Sequence, residues 1–198
     1  MQKERIIMNY DEIYKALKEK ISEKRFKHVM GVVETATMLA NLYNEDVEKA
    51  KLASILHDNA RECTQDEMER LYSYYGYNVE NNFQKEPALL HSKVGAILAR
   101  TTYGIEDIEI LNAIKYHTTG RRNMTMLEKI IFIADYIEPS RDFEGVEAVR
   151  KQAFRDIDLA VYEALENTMK HLLEKKSFID MDTLDARNDL LLKIKNRN

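Results

Sequence analysis

Four histidines and two aspartates fall where the chain's own periodicity would bury them or bring them to a helix end. His28 lies between Phe26 and Val29-Met30. His57 and Asp58 close the apolar run Leu52-Ala53-Ser54-Ile55-Leu56. His91 sits in Ala88-Leu89-Leu90-His91-Ser92, and His117 ends Ala113-Ile114-Lys115-Tyr116. Asp135 interrupts Ile131-Phe132-Ile133-Ala134-Asp135-Tyr136-Ile137. A buried carboxylate must be paired, protonated or bound to a metal, because an isolated one is too costly to desolvate. Taken singly, each residue has a plain packing explanation; six together in one small domain do not. Together they supply imidazole nitrogen and carboxylate oxygen with no sulfur, a donor set that suits iron, manganese, cobalt, nickel or zinc.

The elements that must position them are helices. Apolar residues recur at three- and four-residue spacing almost throughout. The spacing predicts helices over about Asn9–Ser22, Lys24–Tyr43 and Asp46–His57. A capping box at Thr64–Glu67 opens a fourth helix, ended by Gly76. Asn78 to Lys85 reads as a polar connector. Pro87 starts a fifth helix, which runs to Tyr103 and stops at Gly104. A sixth covers Asp107–His117, and a second capping box at Thr125–Glu128 opens one through Ile137. A long helix is expected over Val146–Lys175. Ser177 to Arg187 reads as polar and irregular, with a short helix closing the chain.

Composition agrees. The chain has 198 residues but only 6 glycines and 2 prolines, against roughly 24 at average usage. So few breakers leave little room for a turn-rich β fold, and no Gly-rich phosphate loop is present. The fold class is therefore all-α, as a single helical-bundle domain over 1–198. With 30 basic and 34 acidic residues the net charge is −4, which argues against a nucleic-acid partner. One cysteine, Cys63, excludes an internal disulfide and suits a reducing compartment. No apolar leader or membrane-length run is seen. The expectation is a cytoplasmic protein with no membrane partner; apolar positions on the first helix could serve a homodimer or the core.

Finer motifs narrow the chemistry. Ser54-Ile55-Leu56-His57-Asp58, then Leu89 through Ala96, then Ala113 through Gly120, then Ile133 through Arg141 occur in this order. The pattern resembles the YqeK family of HD-domain phosphohydrolases, bacterial symmetrical bis(5′-nucleosyl)-tetraphosphatases, over about Arg25 to Arg187. The resemblance implies an HD-domain bundle that splits diadenosine tetraphosphate into two ADP with iron or a similar divalent metal, manganese and cobalt being acceptable, as one ion or two. His28, His57, Asp58 and Asp135 would hold the principal ion. His91 and His117 would face a second position, as ligands or as phosphate contacts. Nucleotide contacts would fall on Arg25, Arg61, His91, His117, Thr118, Asp135, Arg141 and the segment Phe178, Ile179, Asp180, Met181, Asp182 and Thr183. Residues 25–141 would form the metal-site core, and 146–198 a C-terminal helix with a segment closing on the nucleotide.

Cleaving a phosphoanhydride needs a nucleophile at neutral pH and compensation of negative charge. A bound metal lowers the pKa of its water toward about 7 and polarises a phosphoryl oxygen. A metal-bound hydroxide oriented by Asp58 would attack a central phosphate, with His91 and His117 as further catalytic residues. Other readings share the ligands: an HD phosphohydrolase for nucleoside monophosphates, dNTPs or cyclic nucleotides, or a helical module that binds nucleotide without turnover. The tyrosines at 72, 74, 75 and 77 read as packing, His171 as a surface residue, and Arg121 and Arg122 as ordinary loop charges.

Overall fold

The computed structural model describes residues 8–77 and 87–197. Within them the chain forms ten helices and no strand: α1 (Tyr10–Lys20), α2 (Glu23–Tyr43), α3 (Val47–Leu56), α4 (Gln65–Tyr74), α5 (Pro87–Thr101), α6 (Ile108–Lys115), α7 (Met126–Ile137), α8 (Val146–Ala153), α9 (Ile157–Glu174) and α10 (Met181–Lys195). The connector at Asn78 to Lys85 lies outside the described residues. With glycine and proline so scarce, side chains start the helices. Asn9, Thr64 and Thr125 each form a capping box with the glutamate three residues on. Ser22, Asp46, Asp107, Asp156 and Asp180 accept backbone N–H groups of the first turn.

Helix α7 organises the bundle. It contacts α2, α3, α6, α8 and α9, which explains why its sequence is apolar on every side. Ile130, Ile131, Ile133 and Ala134 are fully buried. Its first turn nonetheless carries two buried charges. Glu128 pairs with Arg121 Nη2 at 2.8 Å, so Arg121 is a structural partner rather than an ordinary loop charge. Lys129 Nζ lies 2.6 Å from Asp158 Oδ1 in the first turn of α9, and Asp158 also meets Arg197. The apolar face of α1 goes inward, with Ile13 and Leu17 fully buried in the chain's own core.

Two expectations for the C-terminal third need correction. The helix expected over Val146–Lys175 is two helices, α8 and α9, separated at Phe154-Arg155-Asp156. Asp156 takes an extended backbone, and its carboxylate accepts the N–H groups of Asp158 and Leu159, so a new helix starts there without a proline or glycine. The segment expected to be irregular, Ser177 to Arg187, becomes helical from Met181 because Asp180 caps it, accepting Asp182 N–H at 2.9 Å.

Candidate metal centre and nucleotide cleft

The bundle brings all six singled-out residues to one point. His28 comes from the second turn of α2, His91 from α5 and Asp135 from the last turn of α7. His57 and Asp58 follow the end of α3, where the chain winds into tight turns: Asn59 N–H bonds to the Leu56 carbonyl, and Arg61 N–H to that of Asp58. This winding lets two adjacent side chains face the same centre, which a continuing helix would forbid. His117 ends α6 in the same way.

The geometry divides around the carboxylate of Asp58. Its Oδ2 faces His28 Nε2 at 3.7 Å and His57 Nε2 at 3.6 Å. Asp135 Oδ1 closes that side, 3.2 Å from His28 and 3.9 Å from His57. The other oxygen, Asp58 Oδ1, faces His91 Nε2 at 3.2 Å and His117 Nε2 at 3.7 Å. Metal–ligand bonds of about 2.1 Å would separate neighbouring ligand atoms by roughly 3.0–3.4 Å. The observed spacings sit close to that range, and every ligand atom within each of the triads His28/His57/Asp58, His57/His117/Asp135 and Asp58/His91/His117 lies within 4.8 Å of the others.

The hydrogen bonds behind the ligands fit a cation as well. His57 Nδ1 donates to the Ser54 carbonyl at 2.6 Å, and His117 Nδ1 to the Ile114 carbonyl at 2.8 Å. His28 Nδ1 meets Glu138 Oε1 at 3.0 Å. Each leaves Nε2 to present its lone pair inward. The inward nitrogens of His28 and His57 are buried without a hydrogen-bond partner. Those of His91 and His117 lie 3.2 Å apart, a spacing that needs a proton or a cation between them.

Electrostatics point the same way. Burial pushes the Asp58 and Asp135 carboxyls up, but their neighbours outweigh it. His57, His117 and His91 hold Asp58 far below the usual carboxylate range, and His28, His57 and Arg141 do the same for Asp135. Burial drives His57 down to about 4, so it stays neutral and available as a ligand. Burial also lowers His91, whereas hydrogen bonds to Asp135 and Glu138 raise His28 and Asp58 raises His117 against their own burial, so the carboxylates draw positive charge into the cluster.

A cleft of about 330 Å³ opens over this cluster. Of the expected nucleotide contacts, Arg25, Arg61, His91, His117, Thr118, Asp135, Arg141, Phe178, Asp180 and Thr183 line it. Ile179, Met181 and Asp182 are not among the lining residues, and Met181 is 64% exposed. Arg25 Nη1 donates to Asp58 Oδ2 at 2.7 Å. Arg141 grips Asp135 twice, through Nε to its carbonyl and Nη2 to its carboxylate. The tyrosines at 74, 75 and 77 lie outside the cleft, and Tyr72 packs in a satellite core with Met68 and Leu90.

Three positions that the sequence reading does not assign to the site shape it. Glu138 is 1% exposed; it orients His28 and accepts Ser140 N–H at 2.7 Å. Gly31, one turn along α2 from His28, makes the room: a Cβ there would stand 2.6 Å from Glu138 Oε2. Arg150 donates to the carbonyls of Ile137, Glu138 and Arg141, fixing the turn that carries both site residues. A signal did exist for Glu138, as an acidic residue in the segment ending the Asp135 helix.

Gly31→Ala should therefore act with opposite signs. Alanine favours a helix interior by about 1 kcal/mol over glycine, so the metal-stripped protein should melt no lower than the parent. Displacing Glu138 from His28 should weaken metal affinity by about 10–100-fold. Competition with a chromogenic chelator, beside melting in excess chelator, reads both. Unchanged affinity would remove Glu138 from the metal's support.

An all-helical bundle whose helix ends converge on a His/Asp cluster is an HD-domain architecture, and the HD domain family model matches residues 25–140. The chain belongs to this family. A protein of Halalkalibacterium halodurans named "Bis(5'-nucleosyl)-tetraphosphatase, symmetrical" is 46% identical over 95% of this chain and 100% of its own. One of the same name in Bacillus subtilis is 39% identical over 93% of this chain and 98% of its own. A crystal structure from Clostridium acetobutylicum, described as a predicted HD superfamily hydrolase involved in NAD metabolism, superposes with a TM-score of 0.92 at 42% identity. It covers 95% of this chain and 100% of that one.

Proposed function

We propose that this chain hydrolyses diadenosine tetraphosphate symmetrically, releasing two ADP, with iron as the working divalent metal and manganese or cobalt able to replace it. The observation that carries the reading is the Asp58 carboxylate, with one oxygen toward His28, His57 and Asp135 and the other toward His91 and His117, at the floor of an arginine-lined cleft. His28, His57, Asp58 and Asp135 would hold the principal ion; His91 and His117 face a second position beside it. A divalent cation there supplies Lewis-acid polarisation of a phosphoryl oxygen and a nucleophile at neutral pH.

The chain's own groups do the rest. Arg25, Arg61 and Arg141 stand around the cleft as fixed positive charge for a polyphosphate that carries several negative charges. Arg141 is anchored through Nε on the Asp135 carbonyl, so its guanidinium is aimed before substrate arrives. Thr118 Oγ1, 3.3 Å from Ser92 Oγ at the cleft edge, is a hydroxyl able to donate a hydrogen bond to a phosphate oxygen. Asp58 is ionised and buried, placed to orient the attacking water and accept its hydrogen bond. Helix α10 closes one wall. Gly120, at φ +64°, lets the His117–Gly120 loop approach Ala186 so closely that a Cβ would stand 3.0 Å from that of Ala186.

Chelator-treated protein, reloaded with Fe(II), Mn(II) or Co(II) under reducing conditions and incubated with diadenosine tetraphosphate, should yield ADP alone on anion-exchange chromatography. ATP plus AMP would overturn the regiochemistry. No product with any of the three metals would move the activity to another nucleotide of the HD class.

A further inference from the structure

The cleft over the metal centre does not end at Asp135. On the other side of Arg141 a second cavity of about 300 Å³ continues from the same rim, sharing His117, Thr118, Asp135, Arg141 and Thr168 with the first. What it adds is aromatic: Phe132, Tyr136 and Phe143. The Tyr136 and Phe143 rings meet edge to face, with centroids 5.1 Å apart, and Phe143 remains 41% exposed. The reading of the substrate as a dinucleoside tetraphosphate, on which this inference rests, requires a nucleoside on each side of the scissile bond. Each cavity lies at the small end of ligand sites, about 300–1,000 Å³. That is room for one half of such a substrate.

We infer that the Tyr136–Phe143 cavity receives the second nucleoside, its base stacked on Phe143, while the first lies in the cleft bounded by Leu89, Leu172 and Phe178. Two observations favour this direction. The shared rim carries the groups that would face the central phosphates, so a linear substrate can cross Arg141 without leaving charged surroundings. The third cavity around the cluster, bounded by Ser22, Lys24, Arg25 and Glu62, has no Phe, Tyr or Trp in its lining; its one ring is the His28 imidazole, which is 8% exposed and turned into the cluster. A planar base of any identity can stack on an aromatic face, so this wing recognises a nucleobase without selecting one.

The test uses Phe143→Ala and Phe143→Trp in metal-loaded full-length protein. With diadenosine tetraphosphate the alanine variant should raise KM about tenfold and leave kcat nearly unchanged. With adenosine 5′-tetraphosphate, which has one nucleoside, its KM should stay within about twofold of the parent. Tryptophan should restore the first value. Equal effects on both substrates, or none, would overturn the inference. ADP binding, read by calorimetry, decides it without turnover. Two ADP per chain in the parent and in the tryptophan variant, with one in the alanine variant, support it; one ADP in all three refutes it. If the parent fails to cleave diadenosine tetraphosphate yet binds two ADP, the proposed reaction falls and the second wing stands.

Discussion

Asp58→Ala is expected to lose metal and turnover together. A single carboxylate serves both halves of the cluster, Oδ2 toward His28 and His57 and Oδ1 toward His91 and His117. Alanine removes both oxygens and the central negative charge, leaving four imidazoles around Asp135. The charge stabilisation a metal lends to phosphoryl transfer is several kcal/mol, so kcat should fall by about a thousand-fold or more. Metal content by atomic emission should fall in the same samples. His171→Ala is the matched control: that residue is exposed on α9 outside the cleft, and its rate should match the parent's. Retention of both metal and rate by the Asp58 variant would refute the assignment.

The second large effect concerns stability. Asp158→Ala should cost about 3–5 kcal/mol, because it strands the Lys129 ammonium in the bundle. The two side chains are only 11% and 7% exposed, and the ion pair joins the start of α7 to the start of α9. For a chain of this size the loss corresponds to a fall in Tm on the order of 10 °C. Replacing both partners, Lys129→Met with Asp158→Leu, should recover much of it, since the penalty lies in the unpaired charge rather than in the lost pair. Thermal melts of the single and double variants decide this. At 20 °C the folded fraction of either should keep its activity, because neither residue lines the cleft.

A linear pattern carries some kinds of structural information and not others. The His/Asp set was legible because charged and imidazole groups stand out in apolar runs. The capping boxes at Thr64 and Thr125 were legible because their partners are three residues away. What escaped was relational. Gly31 looks like any helical glycine until Glu138, far along the chain, is placed against it. Arg150 acts on three carbonyls, groups every residue possesses. The acceptors that fix His57 and His117 are likewise backbone carbonyls. The break at Asp156 was missed because a carboxylate capping its own following turn needs no proline or glycine. The cap at Asp180 was missed for the opposite reason, as polar residues on an exposed helix resemble those of a loop.

The dispersal of the six positions proposed to hold metal has a consequence for how the molecule matures. They come from five segments scattered between His28 and Asp135, and the longest contiguous fragment among them is the His57-Asp58 pair. An unfolded chain can therefore offer an ion two neighbouring donors at most, and high affinity arises only after the bundle has closed. Loading would thus be a census of completed folding: molecules that stall or are truncated would remain metal-free and inert. Release need not follow the same route: the cleft leaves Asp58, His91, His117 and Asp135 facing solvent, so an ion could leave the closed bundle through it, and its off-rate should not depend on fraying at the chain ends.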